Sequence, residues 1–262
     1  MKTITTRTLH AIKHAGETFS CLTAYDASFA RIASQAGIEV LLVGDSLGMV
    51  LQGHSTTLPV TLEDICYHTR CVARGKEKSL LMADLPFMSN ASQERLLQDA
   101  GALMRAGAEM VKIEGEAWLA EGIRELTRRG VPVCAHMGLT PQSVHQFGGY
   151  RVQGRDSTQA ERMVADAQVL VDAGASIILL ECVPAHLGRM MRDTLDVPVI
   201  GIGAGAEVDG QILVMHDVLG VSTRPPRFAK NFLTESDSIE AAFRAYHEAV
   251  KARRFPSEEH SF

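Results

Sequence analysis

The sequence predicts an α/β fold, a single (β/α)8 barrel with an extra N-terminal helix. Three observations predict it. Short apolar runs alternate with longer amphipathic segments from one end of the chain to the other. Several helix-to-strand junctions share one signature, Ala36-Gly37, Ala106-Gly107-Ala108 and Ala173-Gly174-Ala175. Glycine just past a helix supplies the left-handed cap that turns the chain into the next strand. Finally, four apolar runs close on a carboxylate: Leu41-Leu42-Val43-Gly44-Asp45, Leu80-Leu81-Met82-Ala83-Asp84, Met110-Val111-Lys112-Ile113-Glu114 and Ile177-Ile178-Leu179-Leu180-Glu181. A buried strand gains nothing from a terminal acid unless the acid has a task. In one parallel barrel all four acids point at the same mouth. Their mutual repulsion then demands a cation or a shared proton.

The elements follow in order. Residues 5–13 read as the additional helix, closing the barrel floor. The first strand is 19–23, with a helix at 26–35. The second strand, 40–43, leads into a glycine-containing loop at 44–59 and a helix at 62–74. The third strand, 80–83, precedes a helix at 92–105 that opens on Ser92 and continues in good helix formers. The fourth strand is 110–113, its helix 117–129, and the fifth strand 131–135. Residues 137–157 are rich in glycine, glutamine and other polar groups. That stretch is long for a βα connection and reads as a lid or substrate loop. A helix at 159–172, a strand at 176–180, a helix at 185–194 and strands at 199–202 and 212–215 complete the barrel. A charged amphipathic helix, 239–253, ends the chain. A doubly wound open sheet is the alternative, but no Gly-x-Gly-x-x-Gly turn follows the first strand.

A chain of 262 residues suits one barrel domain spanning 1–262. With 46% apolar and 22% charged residues it has the composition of a globular protein with a large core. The net charge of −5, without a basic cluster, argues against a nucleic-acid partner. An anionic substrate would need a local positive source, such as a metal ion or a placed lysine. Cys21, Cys66, Cys71, Cys134 and Cys182 show neither zinc-site spacing nor a short disulfide framework. They read as reduced thiols of a cytoplasmic protein, most of them buried bystanders. Residues 1–14 are polar, without a signal-peptide core. No run approaches the roughly 20 apolar residues of a membrane span.

Barrel chemistry sits at the carboxyl ends of the strands. There the sequence places Asp45 and Ser46, Asp84, Lys112 and Glu114, His136, and Glu181. Period-two alternation puts Lys112 and Glu114 on one face of their strand. Asp45 and Asp84 are the best direct ligands for a hard cation, Mg²⁺ or Mn²⁺ or Co²⁺ in its place, and Glu114 ligates directly or through water. Glu181, from a more distant strand, is free to act as a base. Lys112 can hold the negative charge that develops on a substrate oxygen. His136 positions substrate or a water. Each residue also has a structural reading. Asp45 and Asp84 fit turn or cap acids, Lys112 and Glu114 fit a buried ion pair, and His136 fits a satisfied core histidine. The Gly201-Ile202-Gly203-Ala204-Gly205 turn follows the seventh strand, where many barrels bind phosphate, but reads better as a tight, closely packed turn.

These residues and their context resemble the ketopantoate hydroxymethyltransferase family. The matching stretches include Thr23-Ala24-Tyr25-Asp26, Val43-Gly44-Asp45-Ser46-Leu47-Gly48-Met49, Ala83-Asp84-Leu85-Pro86-Phe87-Met88, Val111-Lys112-Ile113-Glu114-Gly115, Gly138-Leu139-Thr140-Pro141-Gln142-Ser143, Leu180-Glu181-Cys182-Val183-Pro184 and Asp209-Gly210-Gln211. Only Ala206-Glu207-Val208 looks less typical. The resemblance implies a barrel of the phosphoenolpyruvate/pyruvate superfamily. It implies transfer of a hydroxymethyl group from 5,10-methylenetetrahydrofolate to 3-methyl-2-oxobutanoate, the first step of pantothenate synthesis. It also implies Mg²⁺ on Asp45, Asp84 and Glu114; contact of Asp45, Ser46, Asp84 and Lys112 with the oxo acid; Glu181 as proton acceptor; and a cytoplasmic homodecamer of two pentameric rings. The rival readings are a folate-independent barrel enzyme making or breaking a C–C bond of another oxo acid, a non-catalytic scaffold or sensor, and a phosphate-binding isomerase.

Overall fold

The computed structural model describes residues 3–262; Met1 and Lys2, part of the expected domain and of its polar N-terminal stretch, lie outside the described residues. Eight parallel strands close into a barrel in sequence order. They are β1 (Phe19–Thr23), β2 (Val40–Val43), β3 (Leu80–Asp84), β4 (Met110–Glu114), β5 (Val133–Gly138), β6 (Ile177–Glu181), β7 (Val199–Ile202) and β8 (Gly210–Leu213). Nearly every strand residue is buried, as a sheet covered on its outer face by helices and filled inside by side chains requires.

The helices that wrap it bury one face each. In the helix Leu62–Gly75, Ile65, Cys66, Thr69 and Val72 recur at helical spacing and go inward. The expected helix-ending glycines Gly37, Gly107 and Gly174 all take left-handed conformations. The helix Ile239–Lys251, near the end of the chain, buries Ala242, Phe243, Tyr246 and Val250. Its Tyr246 hydroxyl lies 3.0 Å from the Cys21 carbonyl and 2.8 Å from that of Gln211, clasping the β1–β8 seam where the barrel closes. The expected N-terminal helix α1 (Thr6–His14) is present with a Thr5–Thr8 capping box. Lys13 seals it to the floor, reaching the fully buried Asp209 at 2.9 Å and the Arg192 carbonyl at 2.8 Å.

Some boundaries differ from the sequence reading. The fifth strand starts at Val133, not 131, because the Val131 N–H still bonds the Leu126 carbonyl at the end of the preceding helix, and Pro132 has no N–H to offer. The eighth strand is Gly210–Leu213 rather than 212–215. Its polar start is hidden in sequence because Asp209 turns into the floor, where its carboxylate accepts from the Val199 N–H at 2.9 Å. Gly210 faces the Phe19 ring so closely that a Cβ would come within 2.6 Å of it. Met215 instead opens a short helix, 215–218. The stretch 137–157 is less irregular than expected. It begins inside β5 and holds a 3-10 turn (Pro141–Ser143) and a helical turn (Val144–Phe147). No helix among the described residues is long and apolar enough to cross a membrane.

Candidate active site

Asp84, Glu114 and Glu181 are the last residues of β3, β4 and β6, and Asp45 stands two residues past β2. Parallel register places Asp84 beside Lys112, Glu114 beside His136 and Gly138 beside Glu181. All seven residues singled out in the sequence therefore line one cavity of about 500 Å³ at the barrel mouth. Gly138 makes the β5–β6 approach feasible. It is left-handed, and a Cβ there would lie 2.4 Å from the Glu181 carbonyl oxygen.

The acids divide by environment. Asp45, Asp84 and Glu114 are almost fully buried around Lys112. The Lys112 ammonium lies 2.6 Å from Asp84 Oδ1 and 3.6 Å from Glu114 Oε1. Burial disfavours its charge, but Asp84, Glu114 and Asp45 together raise its pKa above the usual lysine range. The Asp45 backbone N–H donates to Asp84 Oδ2 at 2.9 Å. Burial, and then the charges of Asp84 and Glu114, push the Asp45 carboxyl well above the carboxylate range. Burial also penalises Glu114, yet His136 and Lys112 keep it below its ordinary value. Glu181 differs: its side chain keeps 15% exposure to the cavity.

His136 joins the two groups. Its Nδ1 lies 3.2 Å from Glu114 Oε1 and its Nε2 3.4 Å from Glu181 Oε2. Burial and the Lys112 charge oppose its imidazolium, but the flanking carboxylates carry its pKa up to about 9. His136 is thus a buried histidine with a carboxylate beside each ring nitrogen.

The sequence reading missed two contributors. Gln142 donates its amide to Asp45 Oδ2 at 2.8 Å and to the Leu85 carbonyl at 3.0 Å, while its backbone N–H donates to Glu114 Oε2 at 3.0 Å. Its sequence signals were its place just after Pro141 in the loop leaving the fifth strand and its membership of a stretch that carries the family resemblance. The Tyr25 hydroxyl lies 2.9 Å from Ser46 Oγ. The Gly201–Gly205 turn is closely packed, as its sequence suggested: a Cβ on Gly203 would come 2.9 Å from Phe228. All five cysteines are free thiols. Burial pushes Cys134 up to about 12 and Cys182 higher still, which keeps both unreactive near neutral pH.

Among the described residues no three side chains of histidine, cysteine, aspartate or glutamate converge closely enough to form a metal cage unaided. A hard divalent cation does not need one, since Mg²⁺ takes one or two carboxylates and keeps waters and substrate oxygens. The donor set fits such an ion. It is all carboxylate oxygen, and burial with the neighbouring Asp84 and Glu114 charges pushes the Asp45 carboxyl up, an imbalance a cation would relieve.

The fold and site define a class: a (β/α)8-barrel enzyme whose acids gather at the carboxyl end of a parallel barrel. Solved structures of this fold include phosphonopyruvate hydrolase, with a TM-score of 0.64 and 16% identity over 84% of each chain. Another is 2,3-dimethylmalate lyase, a PEP mutase/isocitrate lyase superfamily member, with a TM-score of 0.57 and 18% identity over 79% of this chain and 80% of that one. At such identities the likeness is one of fold. The particular assignment comes from sequence. The family model described as ketopantoate hydroxymethyltransferase matches residues 3–258, and the chain belongs to that enzyme family. Curated relatives called 3-methyl-2-oxobutanoate hydroxymethyltransferase include those of Chromohalobacter salexigens, 75% identical over 100% of both chains, and Marinobacter nauticus, 59% identical over 99% of this chain and 98% of the relative.

Proposed function

We propose that the protein transfers a hydroxymethyl group from 5,10-methylenetetrahydrofolate to 3-methyl-2-oxobutanoate, giving 2-dehydropantoate and opening pantothenate synthesis. The names of its close relatives support the acceptor. The observation that carries the mechanism is the division of the acids: three buried around Lys112, and Glu181 facing the cavity.

The hydrogen on C3 of the oxo acid is a very weak acid. A divalent cation held by Asp45, Asp84 and Glu114, Mg²⁺ or Mn²⁺ or Co²⁺ in its place, would withdraw charge from the substrate oxygens. Glu181 takes the C3 proton as general base. His136, fixed by Glu114, orients the Glu181 carboxylate. Lys112 meets the negative charge that grows on the keto oxygen. Ser46, held by Tyr25, orients the substrate carboxylate. C3 then bonds to the donor's methylene carbon as one of its two C–N bonds breaks; water displaces the second nitrogen to leave the hydroxymethyl group on C3, and the freed nitrogens take up the proton held by Glu181 and one from the water. The same reading makes the enzyme a cytoplasmic homodecamer.

Purified protein with Mg²⁺, the oxo acid and methylenetetrahydrofolate tests the proposal. 2-Dehydropantoate should form in proportion to the folate consumed. Cleavage or condensation of the oxo acid without folate would replace the proposal with the folate-independent barrel reading.

A further inference from the structure

The cavity has a second end that this chemistry does not use. In a closed barrel of eight strands, β8 lies across the axis from β4. The chain leaving β8 therefore faces the wall of Asp84, Lys112 and Glu114. That chain brings Ser222, Arg224 and Arg227 to the lining of the same cavity. Arg224 is exposed, and among the described residues it enters no ion pair. Arg227 is held without an acidic side chain: its Nε donates to the Glu259 carbonyl at 3.0 Å, and its guanidinium lies 5.4 Å from the centre of the Phe262 ring. Among the described residues its remaining N–H groups make no hydrogen bond, which leaves them for a ligand, and the C-terminal segment fixes their position in advance.

One acid shares this wall. Burial pushes the Asp217 carboxyl up, although a hydrogen bond with Ser222 works the other way, so its negative charge is weakened. The same cavity is also lined by the apolar Leu42, Val50, Ile202, Ile212 and Leu213. A cavity of about 500 Å³ is far larger than a five-carbon oxo acid needs. It lies in the roughly 300–1,000 Å³ range of sites that bury drug-sized ligands.

We infer that Arg224 and Arg227 bind the carboxylate tail of the one-carbon donor. The inference rests on the folate reading above, since the glutamate of a folate is its strongly anionic part. Arginine pairs with carboxylate in two parallel hydrogen bonds, which fixes direction as well as position. Acids at one end of the cavity and arginines at the other sort the donor by charge. The tail goes to the arginines, the aromatic body lies along the apolar wall, and the methylene carbon reaches the acid end.

The test compares two donors on the purified enzyme with Mg²⁺ and the oxo acid: 5,10-methylenetetrahydrofolate and 5,10-methylenetetrahydropteroate, which lacks the glutamate. The pteroate should show a KM about tenfold or more higher, as expected for loss of charge-assisted contacts. Arg224→Gln and Arg227→Gln should each raise the folate KM severalfold, change kcat by less than about twofold, and leave the pteroate KM where it was, as expected when a binding contact is lost without cost to chemistry. Equal KM values for the two donors on the unaltered enzyme would overturn the inference without any variant having to fold. So would variants that raise both KM values alike. An enzyme that turns over methylenetetrahydrofolate but ignores its tail refutes only this assignment; one that does not use methylenetetrahydrofolate refutes the proposed function as well.

Discussion

Replacing Lys112 with methionine removes the ammonium charge from among three buried carboxylates while keeping most of its volume. At an effective dielectric constant near 20, unit charges at 2.6 Å and 3.6 Å attract by about 6 and about 5 kcal/mol. Desolvation of the ions offsets much of that. Removing one partner of a buried pair costs about 3–5 kcal/mol net, a large share of the roughly 5–15 kcal/mol by which a domain is stable. At about 2–4 °C per kcal/mol for a chain near this size, Lys112→Met should melt about 6–20 °C below the parent. The pH dependence has a definite sign. The folded pKa of Lys112 is raised, so its contribution is complete below its unfolded value near 10.4 and is lost only as pH rises through the folded one. Without Lys112 the acids bind protons more readily folded than unfolded. The variant's deficit should therefore shrink as pH falls from about 8 to about 5. Thermal unfolding followed by circular dichroism across that range, with and without Mg²⁺, reads both effects. Mg²⁺ should raise the midpoint of the variant more than that of the parent. A deficit under about 2 °C, or one indifferent to pH, would refute the view that Lys112 holds the acid cluster together.

Three further outcomes are expected. Asp45→Ala and Asp84→Ala should each weaken Mg²⁺ binding measured by calorimetry, by about tenfold or more; unchanged affinity in both would remove them as ligands. Gln142→Leu, which deletes the donor to Asp45 and the Leu85 carbonyl, should lower kcat/KM by about tenfold to a hundredfold; an unchanged value would make that contact incidental. At the barrel floor, burial works against the Glu39 charge, but His247 and Ser20 keep its pKa below the ordinary value. A depressed acid stabilises above its unfolded pKa and loses that contribution as pH falls through the folded one. Glu39→Gln should thus lower stability by about 1–3 kcal/mol near neutral pH. The difference from the parent in denaturant melts should narrow below about pH 4; a gap that widens in acid would reverse the assignment.

What was legible in the sequence follows from physical conflict. Asp84, Glu114 and Glu181 stand out because an acid closing an apolar strand carries a desolvation cost that needs a reason. Lys112 and Glu114 share a face by strand alternation, and their 3.6 Å approach and common place in the cavity lining confirm the geometry. His136 was ambiguous because one strand cannot show what lies beside it. The register with Glu114, and that of Gly138 with Glu181 one strand further on, brings both carboxylate neighbours to it. Gln142 was invisible for a related reason. An amide in a polar loop conflicts with nothing locally, and its bond to Asp45 spans 97 residues. Arg224 and Arg227 lie in a stretch that reads as ordinary polar surface until barrel closure turns it toward the acids. The eighth strand was misplaced because its start, Asp209-Gly210-Gln211, is chosen for the crowded floor and not for strand propensity.

The central claim is that Glu181 alone among the four acids moves the proton, while the other three hold charge. Exchange of the C3 hydrogen of 3-methyl-2-oxobutanoate with deuterated solvent, followed by NMR with Mg²⁺ and without folate, isolates that step. The parent should exchange. Glu181→Gln should bind the oxo acid with nearly the same affinity and lose exchange by about a hundredfold or more, the contribution typical of a general base. Exchange at the parental rate in Glu181→Gln would contradict the account.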